Sequence, residues 1–419
     1  MQDLQLMPVF EAWAAEHGAT DSLRPSERAT RYGNFLQSLR VVVETNLDRS
    51  SPIWLRPGPF ADLSLEEFVR AYLPKSAPSL DSKTSVQQQA ASAAAAAAPL
   101  GASSSRKLQA DVPLPAGQGL LRLGRHRKRD KRVPRSVDWV AAGAVTSIKY
   151  QGRCGSCWAW TTAATLESAL LVERKRRGRG PAGDSSAGTS PFPASDSETE
   201  PSLSVQQIVS CVNSELGYTS AGCGGGFPEQ AFDYIHRFNI SEEHFYAPYS
   251  LVNSTETPPC NHSLLAATAR KQVYRIRGGP GAAQVPPNSA SELMRVVARQ
   301  PVAMYYHVPI DSRETALKFR HYAGGVWPAA MCPAPDLPNW HDLCNHNMMI
   351  AGYSQGSHVG ANDSYFLIKN SWGEKWGDGG YLRSQMTDDP DGPCGMYRLN
   401  YVPLEVVRPK NRPHYAGQP

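Results

Sequence analysis

Residues 151–158 read Gln-Gly-Arg-Cys-Gly-Ser-Cys-Trp, which sets a thiol, Cys157, at the head of a helical run. From Ala159 the apolar positions Ala159, Ala163, Leu166 and Leu170 recur at helical intervals, and no Gly or Pro follows until Gly178. At a helix N-terminus a thiol meets unpaired backbone N–H groups and the positive end of the macrodipole. Both favour its thiolate, the reactive form. Cys154, three residues upstream, could instead complete a structural C-x-x-C pair: a disulfide, a redox couple or half a zinc site. The chain has no second C-x-x-C, and a metal needs neither Gln151 nor Trp158. A nucleophile accounts for more of the octapeptide, and no metal site is expected.

A nucleophile needs a base that is held in place. Residues 343–353 read L-C-N-H-N-M-M-I-A-G-Y, where His346 opens an apolar run suited to a buried strand. Residues 365–373 read Y-F-L-I-K-N-S-W-G, a second strand-like run ending at Asn370. Among 11 histidines, His346 is distinguished by opening a strand shortly before N-S-W-G. Together these groups suit acyl transfer. Cys157 and His346 would form a thiolate–imidazolium pair, and the Asn370 side-chain oxygen would accept the other ring N–H. Trp372 would shield that hydrogen bond from water. The Gln151 amide and the Cys157 backbone N–H would stabilise the developing oxyanion.

The blocks Q…C-G-S-C-W, N-H and K-N-S-W-G-x-x-W-G, in this order, resemble the papain family of cysteine peptidases over most of residues 133–404. The resemblance implies an α+β, two-lobed papain-like fold. A helical lobe would carry Cys157, a β-sheet or barrel lobe would carry His346 and Asn370, and substrate would lie between them. It likens G-C-G-G-G (Gly222 to Gly226) to the family's G-C-N-G-G strip, with Gly225 and Gly226 admitting substrate backbone. It implies disulfides Cys154–Cys223 and Cys211–Cys260, and a third from Cys394 to Cys332 or Cys344. It places Trp372 in the substrate-binding set, and maps Phe227 and Pro228, with Tyr305, Asn345, Asn347 and Leu399, onto the pocket for the second residue before the cut. That wall is expected to be mostly apolar, with no charged residue placed to pair a basic side chain. His346 and Asn370 lie 189 and 213 residues beyond Cys157, against about 130–150 in the family signature. Loop-like stretches at 173–202, 331–343 and 354–364 supply the excess.

Upstream, Glu27, Arg31, Phe35, Ser38, Val42 and Asn46 line one helical face, a spacing that by itself fits any amphipathic helix. Followed by Phe60-Ala-Asp-Leu-Ser-Leu-Glu-Glu-Phe68, they resemble the inhibitory prodomain of cathepsin L-like peptidases, with departures at Ser38, Val42 and Gly58. The expected organisation is an inhibitory prodomain at 1–73 and a low-complexity linker and processing region at 74–132. A peptidase domain follows at 133–408 with an insertion near 173–202, then a tail at 409–419. The linker holds a Gln/Ala tract (Gln87 to Ala98) and a basic run at Arg125–Arg132. That run, just before Val133-Pro-Arg-Ser-Val-Asp-Trp139, reads as a processing junction, with a polyanion-binding patch as the alternative.

The composition, 41% hydrophobic over 419 residues, supports a sizeable core, and a net charge of +5 does not argue for nucleic acid. All 8 cysteines lie between Cys154 and Cys394, so disulfides would imply an oxidising compartment. Sequons at Asn239, Asn253, Asn261 and Asn362 permit the same route. Met1–Phe10 shows no basic-then-apolar run before a cleavage site, and the apolar stretch Ala90–Leu100 is too short to span a bilayer. The expectation is a monomeric cysteine endopeptidase made as a zymogen. It would act on proteins and peptides through a Cys157 thioester, without cofactor, and be inhibited by its own prodomain. It would use the secretory route to an acidic lysosome- or vacuole-like compartment or the cell exterior. The rivals are a silent family member that only binds, a transpeptidase of the same fold, and an exopeptidase whose cleft is blocked by the Cys332–Cys344 loop carrying His341.

Overall fold

The computed structural model describes residues 5–18, 24–73, 133–178, 200–268, 273–332, 344–361 and 363–407. The linker with its basic run, most of the 173–202 insertion, His341, Asn362 and the 409–419 tail lie outside the described residues. The helices are α1 (Met7–His17), α2 (Pro25–Leu47), α3 (Leu65–Tyr72), α4 (Cys157–Gly178), α5 (Val205–Cys211), α6 (Pro228–Phe238), α7 (Glu243–Tyr246), α8 (His262–Thr268), α9 (Ala290–Val297) and α10 (Arg313–His321). The strands are β1 (Ile53–Leu55), β2 (Ser136–Asp138), β3 (Ile240–Ser241), β4 (Val273–Gln284), β5 (Val302–Tyr306), β6 (Tyr322–Gly325), β7 (His346–Ser354), β8 (Tyr365–Lys369), β9 (Tyr381–Gln385) and β10 (Asn400–Val407).

Two cores form. In the helical one, α4, α5 and α6 bury Trp158, Leu166, Ile208, Phe232 and Ile235 together, and the disulfides Cys154–Cys223 and Cys211–Cys260 tie their ends. The other is built on an antiparallel sheet of order β3-β4-β10-β5-β7-β8-β9, with β2 paired to β7. Its alternating residues Met304, Met348, Ile350, Phe366, Ile368 and Leu382 are buried on one side. The third disulfide joins Cys394 to Cys332, and Cys344 is in none. Between the lobes lies a small polar knot. The Lys369 ammonium donates to the Thr146 carbonyl at 2.7 Å, and the Thr146 hydroxyl donates to Glu167 of α4 at 2.7 Å. Lys369 and Glu167 are both buried, so each offsets the other's desolvation.

The N-terminal unit is held by side chains reaching for backbone. One face of α2 buries Phe35, Ser38 and Val42. Arg31 and Asn34 donate to the Asp62 carbonyl, Ser38 to Ala61, and Asn46 both donates to and accepts from Leu55. Glu27 instead turns to its own helix start, accepting from the Arg24 backbone N–H. Ser64 and Glu67 form a capping box that starts α3. The unit shares the sheet lobe's core through Ile53, Leu55, Phe60, Phe68, Tyr72 and Leu73. β1 extends that lobe by pairing with β6, Ile53 opposite Gly325. Gly325 has φ +86, and a Cβ there would stand 2.1 Å from the Pro52 carbonyl, so only glycine allows so close an approach. Arg320, fully buried, donates to the Phe60 and Leu63 carbonyls at 2.7 and 2.9 Å.

Alkylation of the denatured, unreduced chain is therefore expected to label Cys157 and Cys344 and to spare the other six cysteines. Label on Cys332 or Cys394 in peptide mass mapping would contradict the third pairing.

Candidate active site

Cys157 is the first residue of α4, fully buried, and its helix runs back into the lobe on Ala159, Ala163, Leu166 and Leu170. His346 is the first residue of β7, and Asn370 directly follows the last residue of β8, an antiparallel neighbour of β7. The ends of two paired strands thus bring imidazole and amide together: His346 Nε2 lies 2.8 Å from Asn370 Oδ1. An amide oxygen only accepts, so Nε2 carries the proton and Nδ1 is the basic nitrogen. That Nδ1 is buried with no hydrogen-bond partner among the described residues. The Trp372 ring covers the pair, 4.6 Å from the imidazole.

Gln151 is fixed from both ends. Its Oε1 accepts from the Ser371 hydroxyl at 2.8 Å, and its Nε2 donates to the Cys154 carbonyl at 2.8 Å and the Tyr72 carbonyl at 3.1 Å. The amide expected to receive an oxyanion thus already holds a carbonyl of the N-terminal unit. Tyr249 braces the same turn, donating to the Gln151 carbonyl at 2.7 Å and bonding the Ser156 hydroxyl. Nothing local in the sequence marks Tyr249, whereas Ser371 sits inside the K-N-S-W-G block.

Among the described residues of this proform no hydrogen bond joins the Cys157 thiol to the His346 ring. Among the described residues the Cys157 thiol donates to Asn347 Oδ1, at a long 3.9 Å. Burial pushes the Cys157 thiol up to about 12 and the His346 imidazole down to about 4. The helix-terminal N–H groups of Cys157 and Trp158 pull the thiol down, and the Asn370 bond pulls the imidazole up, but desolvation outweighs both. Between those pH values both groups are neutral.

The residues mapped to the substrate pocket divide. Phe227, Tyr305, Cys344 and Leu399 form one buried apolar cluster with Tyr401 against it, and Pro228 is buried beside it at the start of α6. Asn345 does not present its amide there: it donates to the Val308 carbonyl and accepts from the Val308 N–H. Asn347 faces Cys157 and Met304 instead. At Gly226 the close neighbour is internal, since a Cβ would stand 2.5 Å from the Trp158 ring. Gly225 has φ +118, a conformation open to glycine. Glu229, in the first turn of α6, touches this cluster by accepting from the Tyr305 hydroxyl at 2.7 Å.

Residues 133–179 and 189–404 match the model of the papain family cysteine proteases, and residues 10–68 match the cathepsin propeptide inhibitor domain. The chain is 31% identical to cysteine endopeptidase Rep1 of Oryza sativa subsp. japonica, over 97% of this chain and 87% of that one. It is 28% identical to the KDEL-tailed cysteine endopeptidase CEP2 of Arabidopsis thaliana, over 96% and 86%. A crystal structure of a ragweed pollen cysteine protease in its proform superposes with a TM-score of 0.62 at 25% identity, covering 96% of this chain and 97% of that one. The chain belongs to the papain family of cysteine proteases. It is a cysteine-type endopeptidase made as a zymogen, with its own inhibitory prodomain at the N-terminus.

With thiol and imidazole neutral, Cys157 of the intact proform should resist a neutral alkylating agent from pH 5 to pH 8. The unfolded chain should react readily near pH 8, where an ordinary thiol with a pKa of about 8.5 begins to ionise. Equal rates for folded and unfolded protein would contradict the buried neutral pair.

Proposed function

We propose that Cys157 is the nucleophile, His346 the general acid and base, Asn370 the group that orients the ring, and Gln151 with the Cys157 N–H the oxyanion donors. The observation that carries this reading is the His346–Asn370 bond, with a bare Nδ1, in a cleft where Gln151 already grips a peptide carbonyl. Departure of the prodomain replaces the Tyr72 carbonyl with that of a substrate and readmits water. The desolvation that keeps both groups neutral then falls, and the proton moves from Sγ to Nδ1. The thiolate adds to the peptide carbonyl, His346 returns the proton to the leaving amine, and water, deprotonated by the same ring, cleaves the thioester. Trp372 excludes water from the Asn370 contact throughout.

The same reading divides the chain into a prodomain at 1–73, a linker and processing region at 74–132, a peptidase domain at 133–408 and a tail at 409–419. The same reading takes the enzyme to act as a monomer, its proposed catalytic groups lying within one chain. Three disulfides and the KDEL tail named for the Arabidopsis relative support a secretory route to an acidic or extracellular destination. No helix among the described residues is long and apolar enough to cross a membrane.

Replacing Cys157 by Ala should abolish turnover of a peptide reporter and labelling by an electrophilic thiol-protease probe, and His346→Ala should nearly do so. Gln151→Ala should lower kcat by roughly 10²–10³. Turnover that survives in the Cys157 variant would sink the assignment.

Burial pushes the Glu229 carboxyl up to about 7, so at pH 5 the pocket is neutral and apolar. Burying a Leu or Val there is worth about 1.5–3 kcal/mol, while an Arg would be desolvated without a partner. At pH 5, peptides with Leu or Val at the second position before the cut should outrun their Arg counterparts. A library profile at that pH preferring Arg would refute the pocket while leaving the catalytic set in place.

A further inference from the structure

We propose that Asn253 is a site of N-linked glycosylation, and that its glycan shields from proteolysis a loop that braces the proposed oxyanion strand. The inference rests on the secretory route proposed above, since only there does a chain meet the oligosaccharide donor. Of the four sequons, the fold treats the three described ones differently. Asn239 closes α6 with φ +68, and its Oδ1 is buried. Its hydroxyl partner, Ser241, is buried in β3 opposite Val273 of β4. A bulky polar chain has no room there. Asn261 is exposed, but its Oδ1 accepts from the Leu264 N–H at 2.9 Å in the first turn of α8, and its own N–H donates to the Tyr246 hydroxyl at 3.0 Å. Asn253-Ser254-Thr255 lies in neither helix nor strand. Asn253 and Thr255 are both exposed, and the Asn253 amide makes no hydrogen bond among the described residues. An open turn with a free amide and a hydroxyl two residues on is what the sequon reaction needs. In that step Asn253 Nδ2 bonds to the anomeric carbon of the first sugar of a lipid-diphosphate-linked oligosaccharide. The bond from that carbon to the diphosphate oxygen breaks, the amide gives up one proton, and the lipid diphosphate leaves.

The packing of this loop says what a glycan there would protect. The Val252 carbonyl accepts from the Arg153 N–H at 2.9 Å, and a Cβ on Gly152 would stand 2.2 Å from Val252 Cα. Further along, the Thr257 hydroxyl accepts from the Cys223 N–H at 2.8 Å, and a Cβ on Gly222 would stand 2.1 Å from that oxygen. One loop therefore supports both the turn that follows Gln151 and the glycine strip, on either side of the Cys154–Cys223 disulfide. Between the two contacts Asn253, Thr255 and Glu256 are exposed. Exposed, polar loop tips are where proteases nick a folded chain, and this chain is itself an endopeptidase. A cut there would part the two contacts. An oligosaccharide on Asn253 covers the tip while the backbone of Val252 and the hydroxyl of Thr257 keep their partners.

The test uses the full chain, as Cys157→Ala to prevent self-cleavage, made in a eukaryotic secretory host. Peptide N-glycosidase acting in heavy-oxygen water turns each glycosylated Asn into an isotopically marked Asp, which peptide mass mapping locates. Asn253 should be marked, and Asn239 and Asn261 unmarked. Thr255→Ala should abolish the mark and Thr255→Ser should keep it. A secreted chain with Asn253 unmarked, or with Asn239 marked as heavily, would overturn the proposal. A chain that stays inside the cells with Cys154 and Cys223 reduced would instead break the secretory reading, and the proposal with it, so the two failures are told apart. For the glycan's role, processed wild type and Asn253→Gln should begin with the same kcat/KM on a peptide reporter. On standing at pH 5 the variant should lose activity sooner, with new chain ends mapping to residues 252–257. Should that variant fail to fold, wild type stripped of its glycan by the glycosidase serves in its place. Equal lifetimes would overturn the shielding role.

Discussion

The indole of Trp372 is the contact on which the proposed active site and the docked prodomain both rest. It lies over the imidazole of His346 and is walled by Phe319 and Trp376. From the other side Phe60 and Phe68 of the prodomain meet it edge-on, at 5.5 and 5.3 Å. Edge-to-face rings add about 0.5–1.5 kcal/mol each beyond the area they bury. The ring that keeps water off the His346–Asn370 bond is thus also the anchor of the inhibitory segment. Docking need not distort the proposed catalytic groups, because it extends a core already built around them.

On the proposed assignment of the site, inhibition follows from two ordinary effects. One is occupancy: the Tyr72 carbonyl fills a position at the Gln151 amide, and a donor already engaged stabilises nothing else. The other is desolvation. Charges cost most where water is excluded, and burial in this proform shifts Cys157 and His346 toward the neutral thiol and imidazole. The backbone fixes the remainder of the contact through β1 on β6 and the Arg320 guanidinium on two carbonyls. These contacts read backbone more than side chains. Ser38 in place of the usual Asn still finds the Ala61 carbonyl.

Cys157 and Asn370 belong to different lobes, and an acyl-transfer site needs its groups held to a fraction of an ångström. The buried Glu167–Thr146–Lys369 link joins α4 to the last residue of β8, one residue before Asn370. A polar link across an otherwise apolar seam has few alternative registers, which suits it to setting the relative position of the lobes.

The local patterns were legible in the sequence because each depends on near neighbours. Cys157 heads a helix, His346 opens a strand, Asn370 ends one, and the α2 face that buries Phe35, Ser38 and Val42 follows helical spacing. The motif order was enough to identify the family and a prodomain. What tertiary structure decided are meetings between distant segments that no spacing encodes. Cys332 rather than Cys344 reaches Cys394, leaving the Cys344 thiol among Phe227, Tyr305 and Leu399. Asn345 turns to the Val308 backbone, and Asn347 to Cys157. Glu229 lies two residues beyond Phe227, yet it meets that apolar cluster only because β5 carries the Tyr305 hydroxyl to it. The protonation of Cys157 was likewise beyond the octapeptide. A helix N-terminus favours thiolate, but burial in the folded proform opposes that preference, because desolvation depends on everything that excludes water from the site.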